Sequence, residues 1–237
     1  MNLQTKLAEP QTALLEARDL TIGYGSNPVV RDLHLTVLPG EVVGLLGANG
    51  AGKSTTLRGL AGELRPISGE VLMFGELATG QLHYRAKHGL GFVTEEKSVI
   101  FGLSVFDNLR LGRGDIDHAF ELFPELSPLR KRIAGTLSGG EQQILTFARA
   151  LSRSPKVLLA DELSLGLAPR VVERLGHAIR DAAADGIGVL LVEQQAHTAL
   201  SLSDRAYVLR QGEVVLHGPS SDLIDRIDEI EVGYLSE

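Results

Sequence analysis

The sequence predicts an α/β fold: a mostly parallel sheet with helices on both faces, a small antiparallel β unit ahead of it, and a helical insertion. Two observations carry this. From residue 42 onward, short apolar runs of strand length alternate with stretches of helical period. Between the first such run and the first helix stands Gly47-Ala48-Asn49-Gly50-Ala51-Gly52-Lys53-Ser54-Thr55. That loop fits G-x-x-x-x-G-K-[ST], a phosphate-binding pattern of nucleotide-hydrolysing proteins, in the strand–loop–helix context it requires.

Taken in order, residues 1–11 read as a frayed end. Residues 13–22 partly alternate and 29–37 alternate again, with Gly23-Tyr24-Gly25-Ser26-Asn27-Pro28 as the turn between two half-exposed strands. Apolar Val42-Val43-Gly44-Leu45-Leu46 is a buried strand feeding the loop, and residues 56–61 a helix leaving it. Residues 68–74 add a strand to the antiparallel sheet. A basic polar stretch (His83, Arg85, Lys87, His88) runs into a short strand over 89–93. Ser104 reads as an N-cap with Asp107 at the third helical position, and Pro124 ends a helix over 117–123. Ser138 caps an amphipathic helix that runs to Ala150, and 157–160 is an apolar strand ending at Asp161-Glu162. A helix over 170–184, a strand over 188–192, a helix over 196–202, a hairpin around residues 210–212 and a short acidic helical tail complete the chain. Residues 1–237 thus form one domain: an antiparallel part over 12–80 interleaved with the phosphate-loop core, a helical part over 95–155, and the rest of the core over 156–237.

Composition narrows the function. A net charge of −7 leaves no basic surplus for nucleic-acid phosphates. With no Cys there are no disulfides or thiolate metal sites, which suits a reducing compartment. Residues 1–16 lack the apolar core of a signal peptide, and no apolar run reaches the ~18 residues of a membrane span. Any membrane role is expected to be peripheral, through a partner.

Three stretches carry chemistry. In residues 47–55, glycines let backbone N–H groups converge on phosphate oxygens, and the helix N-terminus adds partial positive charge. Lys53 would reach the β- and γ-phosphates and the Ser54 hydroxyl would hold Mg²⁺. Asp161 and Glu162 end a buried strand, where ligands of open α/β sheets sit. Alone they also read as an acidic turn. Beside a phosphate loop, Asp161 is the expected Mg²⁺ ligand and Glu162 the general base for the attacking water. Third, Leu137-Ser138-Gly139-Gly140-Glu141-Gln142-Gln143 opens a helix with a serine cap and two glycines, either a plain capped start or a second anion site.

With these residues in place the chain resembles the ATP-binding subunits of ABC transporters. Residues 47–55 look like their Walker A, 137–143 their signature and 157–162 their Walker B, so the resemblance covers nearly the whole chain. It implies a P-loop ATPase that binds ATP and Mg²⁺ in a head-to-tail dimer, with itself or a second ABC ATPase. Each ATP would lie between one subunit's phosphate loop (Gly47, Asn49, Gly50, Ala51, Gly52, Lys53, Ser54, Thr55) and the other's Ser138, Gly139, Gly140 and Glu141. Hydrolysis by Glu162 would open the dimer and drive transmembrane permease subunits, fed indirectly by a solute-binding protein, at the cytoplasmic face of the inner membrane. Tyr24 sits where the family stacks an aromatic on adenine. Glu95 takes the place of a Mg²⁺-sensing Gln, and Gln194 that of a His on the γ-phosphate. Leu163 replaces a common Pro, and residues 164–169 lack the usual Asp. This pattern is similar to the second ATPase of branched-chain amino acid importers and their urea or amide relatives. An export or envelope-lipid ATPase on the same fold, and less readily a non-transport ABC protein, stay open. Ile100 and Phe101 are expected either at a permease contact or in the helical part's own core.

Overall fold

The computed structural model describes residues 11–96 and 98–235. Apart from residue 11, the expected frayed start lies outside the described residues. Strands β1 (Leu15–Tyr24) and β2 (Asn27–Val37) pair antiparallel across a turn at Gly25-Ser26. Strand β3 (Val42–Leu46) then feeds the glycine loop, and α1 (Lys53–Ala61) leaves it, one turn earlier than the sequence suggested. Strands β4 (Ser68–Met73) and β5 (Glu76–Leu77) extend the first sheet, whose order is β2-β1-β4-β5.

A short helix α2 (Leu82–Lys87) precedes β6 (Leu90–Val93). The mainly helical stretch follows: α3 (Val105–Leu111), α4 (Ile116–Leu122), 3-10 turns over Pro124–Leu129 and Ala134–Thr136, and α5 (Gly139–Leu151). Ser104 caps α3 by accepting the Asp107 N–H at 3.0 Å, as its spacing foretold. The rest alternates: β7 (Val157–Asp161), α6 (Pro169–Ala184), β8 (Gly188–Glu193), α7 (Ala196–Leu202), then the hairpin β9 (Arg205–Arg210) and β10 (Glu213–Pro219), and α8 (Ser220–Ile224) and α9 (Ile227–Leu235).

The second sheet has the order β10-β9-β3-β8-β7-β6, parallel throughout except for the β9–β10 hairpin. Its central strands β3, β7 and β8 are buried along their whole length, which is why they read as unbroken apolar runs. Side chains alternate between two cores. Val42, Leu158, Ala160, Val189 and Leu191 pack with α5 and α6, including Leu145, Phe147, Leu175 and Ile179. Val43, Leu45, Leu159, Leu190 and Val192 pack with Leu57 and Leu60 of α1 and with the antiparallel sheet. Each such leucine is worth roughly 2–5 kcal/mol against truncation to Ala. The sandwich fixes the carboxyl ends of β3, β7 and β8 side by side: Leu46 pairs with Glu193, and Asp161 with Val192. Everything that follows on those three strands meets at one edge. Ile100 and Phe101 are exposed, so they do not cover the helical part's core. Among the described residues no helix is long and apolar enough to cross a membrane.

Candidate functional site

The loop after β3, the residue after β7 and the residue after β8 enclose a cleft of about 400 Å³ lined by Asn49, Gly50, Gly52, Lys53, Ser54, Thr55, Glu95, Glu162 and Gln194, with Val29 and Leu165 at its edge. Gly52 holds φ +107°, and a Cβ there would stand 2.8 Å from Val30 Cγ2, so both conformation and space demand glycine. As N-cap of α1 it offers no side-chain acceptor, and the first turn of α1 carries no acid. The helix therefore presents its N-terminal donors to the cleft with nothing of its own to neutralise them, the condition for binding an anion.

Lys53 is 4% exposed. Its Nζ donates to the Gly47 carbonyl at 2.8 Å and the Ala48 carbonyl at 3.1 Å, and lies 3.7 Å from Glu162 Oε1. Burial lowers its pKa, while Glu162 and Asp161 counter that. Asp161 is 6% exposed. Burial pushes its carboxyl up to about 6 against a hydrogen bond from Ser54, with the charges of Glu162 and Glu95 adding to the rise. Among the described residues its Oδ1 has no hydrogen-bond partner. A buried carboxylate oxygen with a free lone pair, beside the Ser54 hydroxyl, is a donor set that fits a hard divalent cation such as Mg²⁺. Among the described residues no cluster of three or more His, Cys, Asp or Glu could hold a metal alone, so remaining ligands would come from phosphate and water.

Glu162 sits at φ +44°, the left-handed region, with its N–H donated to the Val192 carbonyl at 3.0 Å. Glu95 is exposed at the cleft wall and Gln194 half-buried. His197 is exposed on α7.

Other candidates lie apart from this cleft. Tyr24 is 50% exposed and accepts a hydrogen bond from Arg58 Nη1 at 3.3 Å. Ser138 opens α5 with a full capping box: its hydroxyl accepts the Glu141 N–H at 3.3 Å, and Glu141 Oε2 accepts the Ser138 N–H at 2.6 Å. A Cβ on Gly140 would stand 2.9 Å from Val171 of α6, so close packing requires that glycine. Within one chain Ser138, Gly139, Gly140 and Glu141 do not meet the phosphate loop's cleft.

Sequence reasoning passed over Glu193, the last residue of β8, only 1% exposed. Its carboxylate accepts the Ser164 N–H at 2.9 Å and the Ser164 hydroxyl at 2.7 Å. The available signal was an acid ending an apolar strand, the same signal that marked Asp161.

A family model described as "ABC transporter" matches residues 30–164. The high-affinity branched-chain amino acid transport ATP-binding protein BraG of Pseudomonas aeruginosa is 40% identical over 211 residues, 85% of this chain and 91% of that protein. The lipopolysaccharide export system ATP-binding protein LptB of Escherichia coli strain K12 is 35% identical over 95% of this chain and 98% of that protein. Among solved structures, an ATP-binding cassette of an ABC transporter in its ADP conformation superposes with TM-score 0.86 at 23% identity, over 95% of this chain and 99% of that one, a likeness of fold. The ATP-binding subunit of an ABC transporter superposes with TM-score 0.82 at 28% identity, over 94% and 100%.

Proposed function

The chain belongs to the ABC transporter family and is a transport ATPase, and from that premise we propose that it is the motor subunit of an importer for branched-chain amino acids or related small polar solutes. The similarity to BraG, a branched-chain amino acid transport protein, supports the cargo class. The observation that carries the catalytic part is the single cleft that holds Lys53, Ser54, Glu162 and Gln194, with Asp161 Oδ1, which has no hydrogen-bond partner among the described residues, beside it.

In this reading ATP enters the cleft with its phosphates on the bare donors of α1. Lys53 exchanges the Gly47 and Ala48 carbonyls for phosphate oxygens, a swap that restores full charge pairing to a buried ammonium. Ser54 and Asp161 are the residues that would hold Mg²⁺, which when bound neutralises phosphate charge. Glu162 takes the proton of the attacking water, and Gln194 donates a hydrogen bond but brings no positive charge. Tyr24 stacks on adenine. A second cassette, identical or a sibling, contributes Ser138, Gly139, Gly140 and Glu141 from across a two-fold axis. Closing and opening of that pair moves the permease subunits from the membrane's cytoplasmic face.

The test is steady-state ATPase of wild type against Glu162→Gln, with ATP binding measured in parallel. The expected result is a kcat lower by about a hundredfold or more with ATP affinity kept. Equal slow rates for the two proteins would overturn the motor reading. The likeness to LptB favours a second reading, a lipopolysaccharide-type export ATPase. Reconstitution with amino acid permeases and a loaded binding protein separates them: stimulated hydrolysis supports import, and stimulation only by export permeases supports the second.

A further inference from the structure

Among the described residues, Glu193 is the one deeply buried carboxylate at this edge that the mechanism above does not use. Burying a carboxylate is costly unless donors satisfy it, and here the donors come from one short stretch: the Ser164 N–H at 2.9 Å, the Ser164 hydroxyl at 2.7 Å, and the Leu163 backbone. Ser164 lies two residues beyond Glu162 in the loop that leaves β7. That loop is therefore tied to β8 twice. The Glu162 N–H is held by the Val192 carbonyl at 3.0 Å, and Ser164 is held by the Glu193 side chain. Between the two ties Glu162 takes φ +44°, a conformation that costs a non-glycine residue on the order of 1 kcal/mol and persists only where its surroundings impose it. Leu163, buried between them, cannot help by rigidity, since it lacks the fixed φ of a proline.

We propose that Glu193 is a positioning residue for hydrolysis: by holding both donors of Ser164 it fixes the backbone on the far side of Glu162 and aims the Glu162 carboxylate into the cleft, beside Lys53. The next residue, Gln194, lines the same cleft, so one strand end orients the base and presents the hydrogen-bond donor. This rests on the reading of Glu162 as the base.

The experiment compares Glu193→Gln, Glu193→Asp and Ser164→Ala, each alone and with Glu162→Gln, for kcat, ATP KM and thermal melting. Gln has the length to accept the Ser164 N–H and meet its hydroxyl, so kcat should stay within about threefold. Asp is one methylene short and should lower kcat by about tenfold while KM stays within about twofold. Ser164→Ala, which removes no buried charge, should lower kcat by roughly threefold and keeps the test open if the Asp variant does not fold. With Glu162 already replaced, Glu193→Asp should cost nothing further. An Asp variant with wild-type kcat, a loss in KM instead of kcat, or the same loss without Glu162 would each overturn the proposal. If Glu162→Gln alone keeps wild-type kcat, the reading of the base fails instead, and that arm shows it separately.

Discussion

Asp161 holds a charge that folding alone does not reward. Its carboxyl is buried, and its value is raised to about 6 from 3.8, first by that burial. Between those values the folded chain binds a proton that the unfolded chain does not. Stability of the nucleotide-free protein should therefore rise as pH falls from 7 towards 5, and the charged form should cost on the order of 3 kcal/mol at neutral pH. Asp161→Asn removes that charge. We expect a melting temperature higher by a few degrees at pH 7, a flatter dependence of stability on pH, and loss of the extra stabilisation that Mg²⁺ adds to ATP. Calorimetric scans across that pH range, with and without MgATP, check all three. Lys53 and Asp161 were legible because local sequence states their chemistry: a loop pattern in one case, an acid closing an apolar strand in the other. Glu193 bore the same local mark as Asp161, but its role was not legible, because its bond to Ser164 joins residues far apart in sequence and exists only once β7 and β8 lie side by side.

Among the elements, α2 shows where periodicity runs out. The stretch around His83, Arg85, Lys87 and His88 read as a basic polar segment, and a helix of six residues is too short to display a period. In the fold Arg85 is buried. It donates to the Leu60 carbonyl at 2.5 Å, the Ala78 carbonyl at 2.7 Å and the Gly80 carbonyl at 2.9 Å. It thus caps the far end of α1, the helix whose near end carries the phosphate loop. Arg85→Met fills much of the space but leaves those carbonyls unpaired. It should cost about 3 kcal/mol, read as a lower urea midpoint with unchanged slope. The strands of the parallel sheet were readable for the opposite reason: burial on both faces makes them uniformly apolar.

At the scale of the whole molecule, the cores, including a third around Leu46, Leu200, Val208 and Ile230, leave apolar residues outside. Phe101 is 59% exposed, with Ile100 beside it and Ile133 also exposed. Exposed apolar neighbours on a helical lobe suit a contact with another protein. The double change Ile100→Asp and Phe101→Asp should leave ATP binding intact and abolish copurification with the permease subunits. Pull-down from detergent extract, with ATP affinity measured on the same sample, checks it.

The two helix starts that bear glycine differ in one respect with a temporal consequence. Among the described residues no side chain caps the first turn of α1 and no acid stands in it, whereas at α5 the Glu141 carboxylate already occupies the Ser138 N–H. A free triphosphate therefore has one welcoming address on an isolated cassette and one that its own acid keeps closed. If two cassettes do share a nucleotide, loading comes first and pairing second. An empty cassette then has little reason to seek its mate, and the cycle gains a direction before any bond is cut.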